Sequence, residues 1–335
     1  MSLKRLDQED ITISVEAVTA SAWSGNTPEL TSFFRKSDQK DSTSGQFFHE
    51  VYNLDPDHNP EAEVQFSIAY GNIDGDGADP FTDDPLVEEN TPTSVIYKQY
   101  RNLVFGAAKD SEGDDIKFKF DGAPSDEILV INIDRSRYKE KLLPGSLELT
   151  LEKDSNKIVL EDNSSVQSAQ VFTDAGREFE LILKSSDEIQ NPKESYGKIY
   201  PDIGVIILNA EALTDTLTDG GLDLNLDLEN NEPLDDFFNA IDTGKSFKLQ
   251  SEETLSSNIV FIRARNAEFN YTTNPSTTTT DGEIRDPVLV NSPQTFITTV
   301  GLYNDRNELL AVAKLSRPLL KDFTKEALLR IKLDF

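Results

Sequence analysis

Residues 296–315 read FITTVGLYNDRNELLAVAKL. Phe296 to Tyr303 is β-branched and aromatic. Asn304-Asp305-Arg306-Asn307 supplies turn residues, and Leu309 to Leu315 returns as a second apolar run. Two such runs joined by about four polar residues predict an antiparallel hairpin. Residues 327–335, ALLRIKLDF, follow. There Arg330, Lys332 and Asp334 alternate with Ile331, Leu333 and Phe335, and a period of two turns one face inward and the other toward water. A pattern this strong in the final residues predicts a tethered C-terminus.

Working outward, Ser246–Gln250 and Asn258–Arg265 read as strands leading into the hairpin, with Thr272–Thr280 as a low-complexity loop between them and it. Residues 116–183 hold the clearest β pattern. Lys117–Phe120, Glu127–Ile133, Ser146–Glu152, Lys157–Leu160 and Glu178–Leu183 are each strand-like, punctuated by Pro144-Gly145 and Asp154-Ser155-Asn156. Ile203–Asn209, IGVIILN, is a continuous apolar run and predicts a buried strand. Ile11, Ile13 and Val15 alternate in a first strand over 10–19. Phe47–Asn53 and Glu63–Tyr70 predict two more.

Helix signals are few. Thr27-Pro28-Glu29-Leu30 has a cap residue, a first-turn proline and an acid, predicting a short helix to Phe34. Thr93–Phe105 places Ile96, Tyr100, Leu103 and Val104 at helical spacing before Gly106. Pro233–Ile241 predicts a third. The expected class is therefore mainly β with a few short helices, a β-rich α+β chain of antiparallel sandwich or barrel-like sheets with long loops. We expect a discontinuous domain of residues 1–110 and 200–335, closed by the hairpin, with 111–199 as a second domain or insertion.

The 335 residues carry 32 Lys and Arg against 61 Asp and Glu, a net charge of −29. Such a surface repels phosphate backbones and argues against nucleic-acid partners. No cysteine is present, which removes disulfides and thiol chemistry. No apolar run is long enough to predict a membrane span. The start, MSLKRLD, turns acidic before any apolar segment and predicts no secretory signal.

Motifs for chemistry are weak. Asn72, Asp74, Asp76 and Asp83 scan as a Ca²⁺ loop with Gly77 at the sharp turn, but position one is Asn, position twelve is Asp, and Pro80 interrupts it. A plain acidic turn explains it as well. Asn239–Ser246, NAIDTGKS, ends like a phosphate loop but lacks the first glycine and the preceding strand. The two histidines, His49 and His58, have no zinc-type spacing. Trp23 reads as core, or as an interface anchor. No cofactor or catalytic residue is expected.

Two basic clusters stand out in an acidic chain. Arg135, Arg137, Lys139 and Lys141 lie within IDRSRYKEKLLPG, and Lys314, Arg317 and Lys321 lie in the final stretch. Each reads as a solvated strand end or as a surface that docks on an acidic neighbour.

The wording TFITTVGLYNDRNELLAVAKLSRPLLKDFTKEALLRIKLDF resembles the C-terminus of a structural protein of contractile-tailed bacteriophages, chiefly cyanophage-type myoviruses. LKRLDQEDITISVEAVTASAWSGNTPELTSFF resembles that family's N-terminus, and NIDRSRYKEKLLPGSLELTL its middle. The resemblance implies a tail or baseplate component of the virion, assembled in the host bacterial cytoplasm. Its implied partners are other tail or baseplate proteins and further copies of itself, and it acts by assembly rather than turnover. A receptor- or glycan-binding tail module, possibly glycan-cleaving, and a neck or capsid-associated protein are the alternatives.

Overall fold

The computed structural model describes residues 4–37, 48–75, 92–110, 113–154, 156–167, 169–185, 195–216, 220–226, 233–272 and 274–334. The fold is mainly β and its sheets are antiparallel, the largest curled into a half-barrel. The chain divides into a central unit, residues 18–253, and a terminal unit that joins residues 1–17 to 254–335. The division falls inside β1 (Ile11–Ser21) and β15 (Gln250–Ala264), not at 110/111 and 199/200.

The reason lies in the pairing of the central unit. Its strands are β2 (Phe48–Tyr52), β3 (Val64–Asn72), β4 (Phe118–Phe120), β5 (Ala123–Ser125), β6 (Glu127–Ile133), β7 (Lys141–Leu142), β8 (Glu148–Lys153) and β9 (Asn156–Asp162). They continue with β10 (Val171–Thr173), β11 (Gly176–Ser185), β12 (Gly197–Tyr200), β13 (Val205–Asn209) and β14 (Phe247–Lys248). The large sheet runs β14-β8-β9-β11-β12-β13-β6-β3-β2, with β10 added beside β11. β6 bonds β3 on one side and β13 on the other, as in Ile68↔Ile131 and Ile131↔Ile206. A boundary at 110/111 or at 199/200 would cut this sheet.

Alternation along the strands feeds two cores. Leu129, Ile131 and Ile133 of β6 join Ile206 and Leu208 in one cluster; Ile128 and Val130 join Val205 and Ile207 in the other. With both faces covered, β6 and β13 carry the continuous apolar runs Ile128–Ile131 and Val205–Leu208, as doubly buried strands do. The helices are α1 (Pro92–Phe105), α2 (Ala210–Thr214), α3 (Pro233–Gly244) and α4 (Pro287–Asn291). α3 gives Leu234, Phe237 and Ile241 to the first cluster. α1 gives Tyr97 and Val104 to the second, together with Phe118 and Phe120 of the β4–β5 hairpin.

α1 lies close on β3. A Cβ at Gly71 would fall 2.9 Å from the Tyr97 nitrogen, so only glycine fits there. Arg101, buried, donates to the carbonyls of Ile116 and Gly106 at 3.0 and 2.9 Å and to that of Ala108. It thus satisfies the backbone where the helix ends. Leu103, expected on the inner face, is exposed, and Tyr97 takes the inner position instead.

The helix expected from Thr27 to Phe34 is absent. Leu30 exchanges backbone hydrogen bonds with Phe247 at 2.9 and 3.0 Å, and Phe34 does so with Tyr52 at 3.0 and 2.7 Å. Extended pairing that buries Leu30 and Phe33 outweighs a local cap signal. Trp23 is core: it donates to the Phe247 carbonyl at 2.7 Å and packs against Phe66 and Phe247.

The terminal unit holds the first part of β1, most of β15, β16 (Gln294–Tyr303), β17 (Leu309–Asp322) and β18 (Ala327–Asp334). One sheet runs β1-β15-β18, and β16 and β17 form the expected hairpin. β15 pairs with β18 from Ser257↔Asp334 to Ala264↔Ala327. β15 is a single strand of 15 residues where Asn258–Arg265 alone was expected.

Candidate assembly surface

The hairpin shows why this unit is unusual. Its turn is self-contained: the Asn304 side chain accepts from the Arg306 and Glu308 nitrogens at 3.0 and 2.8 Å. Asn307 takes φ 60, a left-handed value that Asn tolerates. Gly301 pairs with Val312, and Tyr303 folds back over it, its ring 2.9 Å from where a Cβ would be. Between Ile297↔Leu319 and Thr299↔Lys314 the register jumps, so β17 carries extra residues opposite Thr298. Pro318, which has no N–H to offer a ladder, sits in that bulge.

No residue of β16 is buried, and β17 buries Lys321 alone. Phe296, Leu309, Leu310 and Val312 are more than half exposed. In β1, Ile13 and Val15 are 69% and 67% exposed. Of the 22 large apolar side chains exposed among the described residues, 13 belong to the terminal unit. Its buried apolar residues are Ile259, Val260, Ala264, Ala327 and Ile331, and none joins either core cluster. A two-stranded sheet is marginal by itself in water. Exposed apolar side chains are thus concentrated in the terminal unit.

Charge divides the same way. The terminal unit has 12 Lys and Arg against 13 Asp and Glu, a net −1; the central unit has 20 against 48, a net −28.

The residues singled out for docking fare differently. Arg135 lies over the Tyr138 ring, 4.5 Å from its centroid, and donates to the Tyr138 and Lys139 carbonyls, both at 2.6 Å. Arg137 pairs with Glu63 at 2.8 Å, Lys139 with Glu253 at 2.6 Å and Lys141 with Glu252 at 3.7 Å. All four are spent within the central unit, and only Arg135 and Lys139 are exposed. Lys321 is wholly buried and donates to the Asn266 and Asp322 carbonyls and the Asn270 side chain at 3.1, 3.0 and 2.8 Å. It is an internal fixture and not a docking residue. Lys314 and Arg317 are exposed, and their side chains make no hydrogen bond or ion pair with any described residue.

The proposed Ca²⁺ turn is only partly described: Asp76 and Asp83 lie outside the described residues. Asn72 is buried, and its Oδ1 accepts from the Asp74 nitrogen at 2.9 Å while its Nδ2 donates to Glu127 at 3.2 Å. Its side-chain oxygen is thus engaged by the turn. Among the described residues no group of three or more His, Asp or Glu is placed to hold a metal. No helix among them is long and apolar enough to cross a membrane.

One polar cluster escaped the sequence reading because its members are spread over two strands. Lys198 lies 2.5 Å from Glu178 and 3.2 Å from Glu180, and Tyr200 donates to Glu178 at 3.0 Å. Burial works against the Lys198 charge, but the two carboxylates outweigh it and hold its pKa above the usual lysine value. Burial, reinforced by Glu178, pushes the Tyr200 hydroxyl well above its ordinary value. A cleft of about 650 Å³ lies near Pro144, Ser164, Gln167, Arg177 and Phe179, and its lining holds no carboxylate. Arg177 there is bound at 2.7 Å to Asp202.

No protein-family model, no curated protein and no solved structure matches the chain.

Proposed function

We propose that this chain is a structural subunit of a contractile-tailed phage particle, a tail or baseplate component that acts by protein–protein assembly. One observation carries the proposal. The terminal unit, about three-tenths of the chain, builds its strands without a core cluster of its own among the described residues, and it holds most of the large apolar side chains exposed there. Water-exposed sheet of that kind is stabilised by covering it, and a neighbouring subunit is the cover an assembling particle provides. The near-neutral charge of the same unit removes the repulsion that the acidic central unit would present to an acidic neighbour. The resemblance of both ends and the middle to phage structural proteins points the same way.

Immunogold electron microscopy of purified particles with antibody raised against this chain tests the reading. Label at the tail end is the expected result. Particles without label, with the chain found only in the soluble lysate, overturn it.

A further inference from the structure

The two outer edges of the hairpin differ. The edge formed by β17 carries Lys314, Arg317 and the bulged Pro318, the devices that keep an edge strand from pairing with another chain. The edge formed by β16, QTFITTVGLY, has no charge and no proline over ten residues. No other described strand pairs with it. The edge strand β1 of the other sheet carries Glu16, which pairs with Lys332 at 3.3 Å. Among the described strands of the terminal unit, β16 is therefore the one long, β-branched, unguarded edge.

We propose that β16 pairs edge to edge with β16 of a second copy of this chain, antiparallel across a two-fold axis, joining two hairpins into one four-stranded sheet. The inference rests on the assembly reading and names the partner. A two-fold pair of this strand meets only uncharged side chains, so like copies meet without repulsion there. The rest of the terminal unit is close to neutral, so the second copy is tolerated near it. A cationic partner would instead be drawn to the central unit, with its net −28. The exposed apolar side chains of the hairpin, Phe296 on one face and Tyr303, Leu309 and Val312 on the other, become part of a wider sheet, and three or more strands are what such a surface needs to be stable.

Salt separates this proposal from docking of a charged partner. The two acidic central units repel, and screening at a Debye length of about 8 Å in physiological salt weakens that repulsion. Self-pairing through β16 therefore tightens as salt rises, whereas binding of a cationic partner loosens.

Sedimentation equilibrium of the full chain tests it. The expected result is a species of twice the chain mass that gains in population from 50 to 500 mM NaCl. The double variant Phe296→Glu, Thr299→Glu places carboxylates on exposed positions, one of them opposite Lys314, and is expected to weaken dimerisation at least tenfold. Phe172→Glu, exposed in the central unit, is expected to leave it unchanged. Because the chain has no cysteine, single cysteines at Gln294, Phe296, Thr298 and Thr299 give a second readout that does not depend on the charged variant folding. At least one is expected to form a disulfide-linked dimer under mild oxidation, and a cysteine at Phe172 is not. A monomer at about 100 μM overturns the pairing while leaving the particle-labelling result to decide the assembly reading. An oligomer untouched by the double variant, with no disulfide from any β16 position, overturns it as well.

Discussion

Strand β6, EILVINI, has a bonded neighbour on each side and an apolar cluster on each face; strand β16, QTFITTVGLY, has one neighbour and no buried residue. Both are rich in aliphatic or β-branched residues, and both follow from the same β-forming tendency. What separates them is the company supplied by the rest of the chain. The central unit places nine strands in one path and packs α1 against β3 and α3 against β8 and β3. The terminal unit makes strands and leaves them open. The lesson is that strand formation and core formation are separate achievements, and a chain can encode the first without the second.

The contrast is broken most sharply by truncating one phenylalanine in each unit. Phe66 is fully buried, with Trp23, Phe33 and Phe247 rings 5.4 to 6.2 Å away. Phe66→Ala is expected to destabilise the chain by about 3–5 kcal/mol, the range for a large aromatic lost from a packed core. Phe296→Ala, at 63% exposure, is expected to stay within about 0.5 kcal/mol for the isolated chain. Urea unfolding at low protein concentration measures both, and equal losses would mean that the hairpin has a core after all.

A smaller effect sharpens the central unit's side of the comparison. Gly71→Ala drives a Cβ into the α1 backbone at Tyr97, which has no side-chain freedom to yield, and an overpacking cost of about 1–3 kcal/mol is expected. Gly25→Ala serves as the contrasting variant: nothing lies within 4 Å, and only the φ of 69 opposes it. Its loss is expected to be the lesser of the two.

Alkaline pH reaches the same packing by titration. Burial raises the Tyr97 hydroxyl to about 12, while its oxygen accepts from the Phe118 nitrogen at 3.3 Å and donates to the Ser125 carbonyl at 2.7 Å. The folded chain thus holds this proton more tightly than the unfolded chain. Stability is intact below the ordinary tyrosine value of 10.0 and falls as pH rises from there toward 12. In Tyr97→Phe the fall across this window is expected to be shallower, as followed by thermal melting at pH 9 to 11.5.

The least effect belongs to the surface. His58 is exposed and lies 2.7 Å from Asp55, whose side-chain hydrogen bond raises the imidazole pKa above 6.5. The same bond, first among its causes, lowers the Asp55 pKa. What the pair contributes is complete below the ordinary histidine pKa and above the ordinary aspartate pKa. It fades as pH rises through the folded histidine value or falls through the folded aspartate value. An NMR titration is expected to place His58 above 6.5, and Asp55→Asn to lower it.

How much of this was readable depended on the range of the signal. Strands β6, β13 and β18 and the β16–β17 hairpin declare themselves through alternation or unbroken aliphatic runs. The 304–307 turn does so through residues that hydrogen-bond their own backbone. Thr27–Phe34 was misread because its cap signal is local, while the bonds from Leu30 to Phe247 span more than two hundred residues. The order β14-β8-β9 was hidden for the same reason. Arg135 to Lys141 looked like an open basic patch because charge is visible in a sequence and the carboxylate or carbonyl that engages it is not. Lys321 was misplaced outside for want of any sign that the Asn266 and Asn270 oxygens would enclose it. The openness of the terminal unit was equally invisible, since Ile13 and Phe296 are letters that usually go inside.

The chain crosses between its units inside β1 and again inside β15, and this fixes an order of events during translation. Residues 18–253 leave the ribosome together and can close their sheet while residues 254–334 are still being added. The early segment 1–17 has to wait for β15 before it can bond. The terminal unit, with the open edge of β16, therefore takes shape after the central sheet has had time to close.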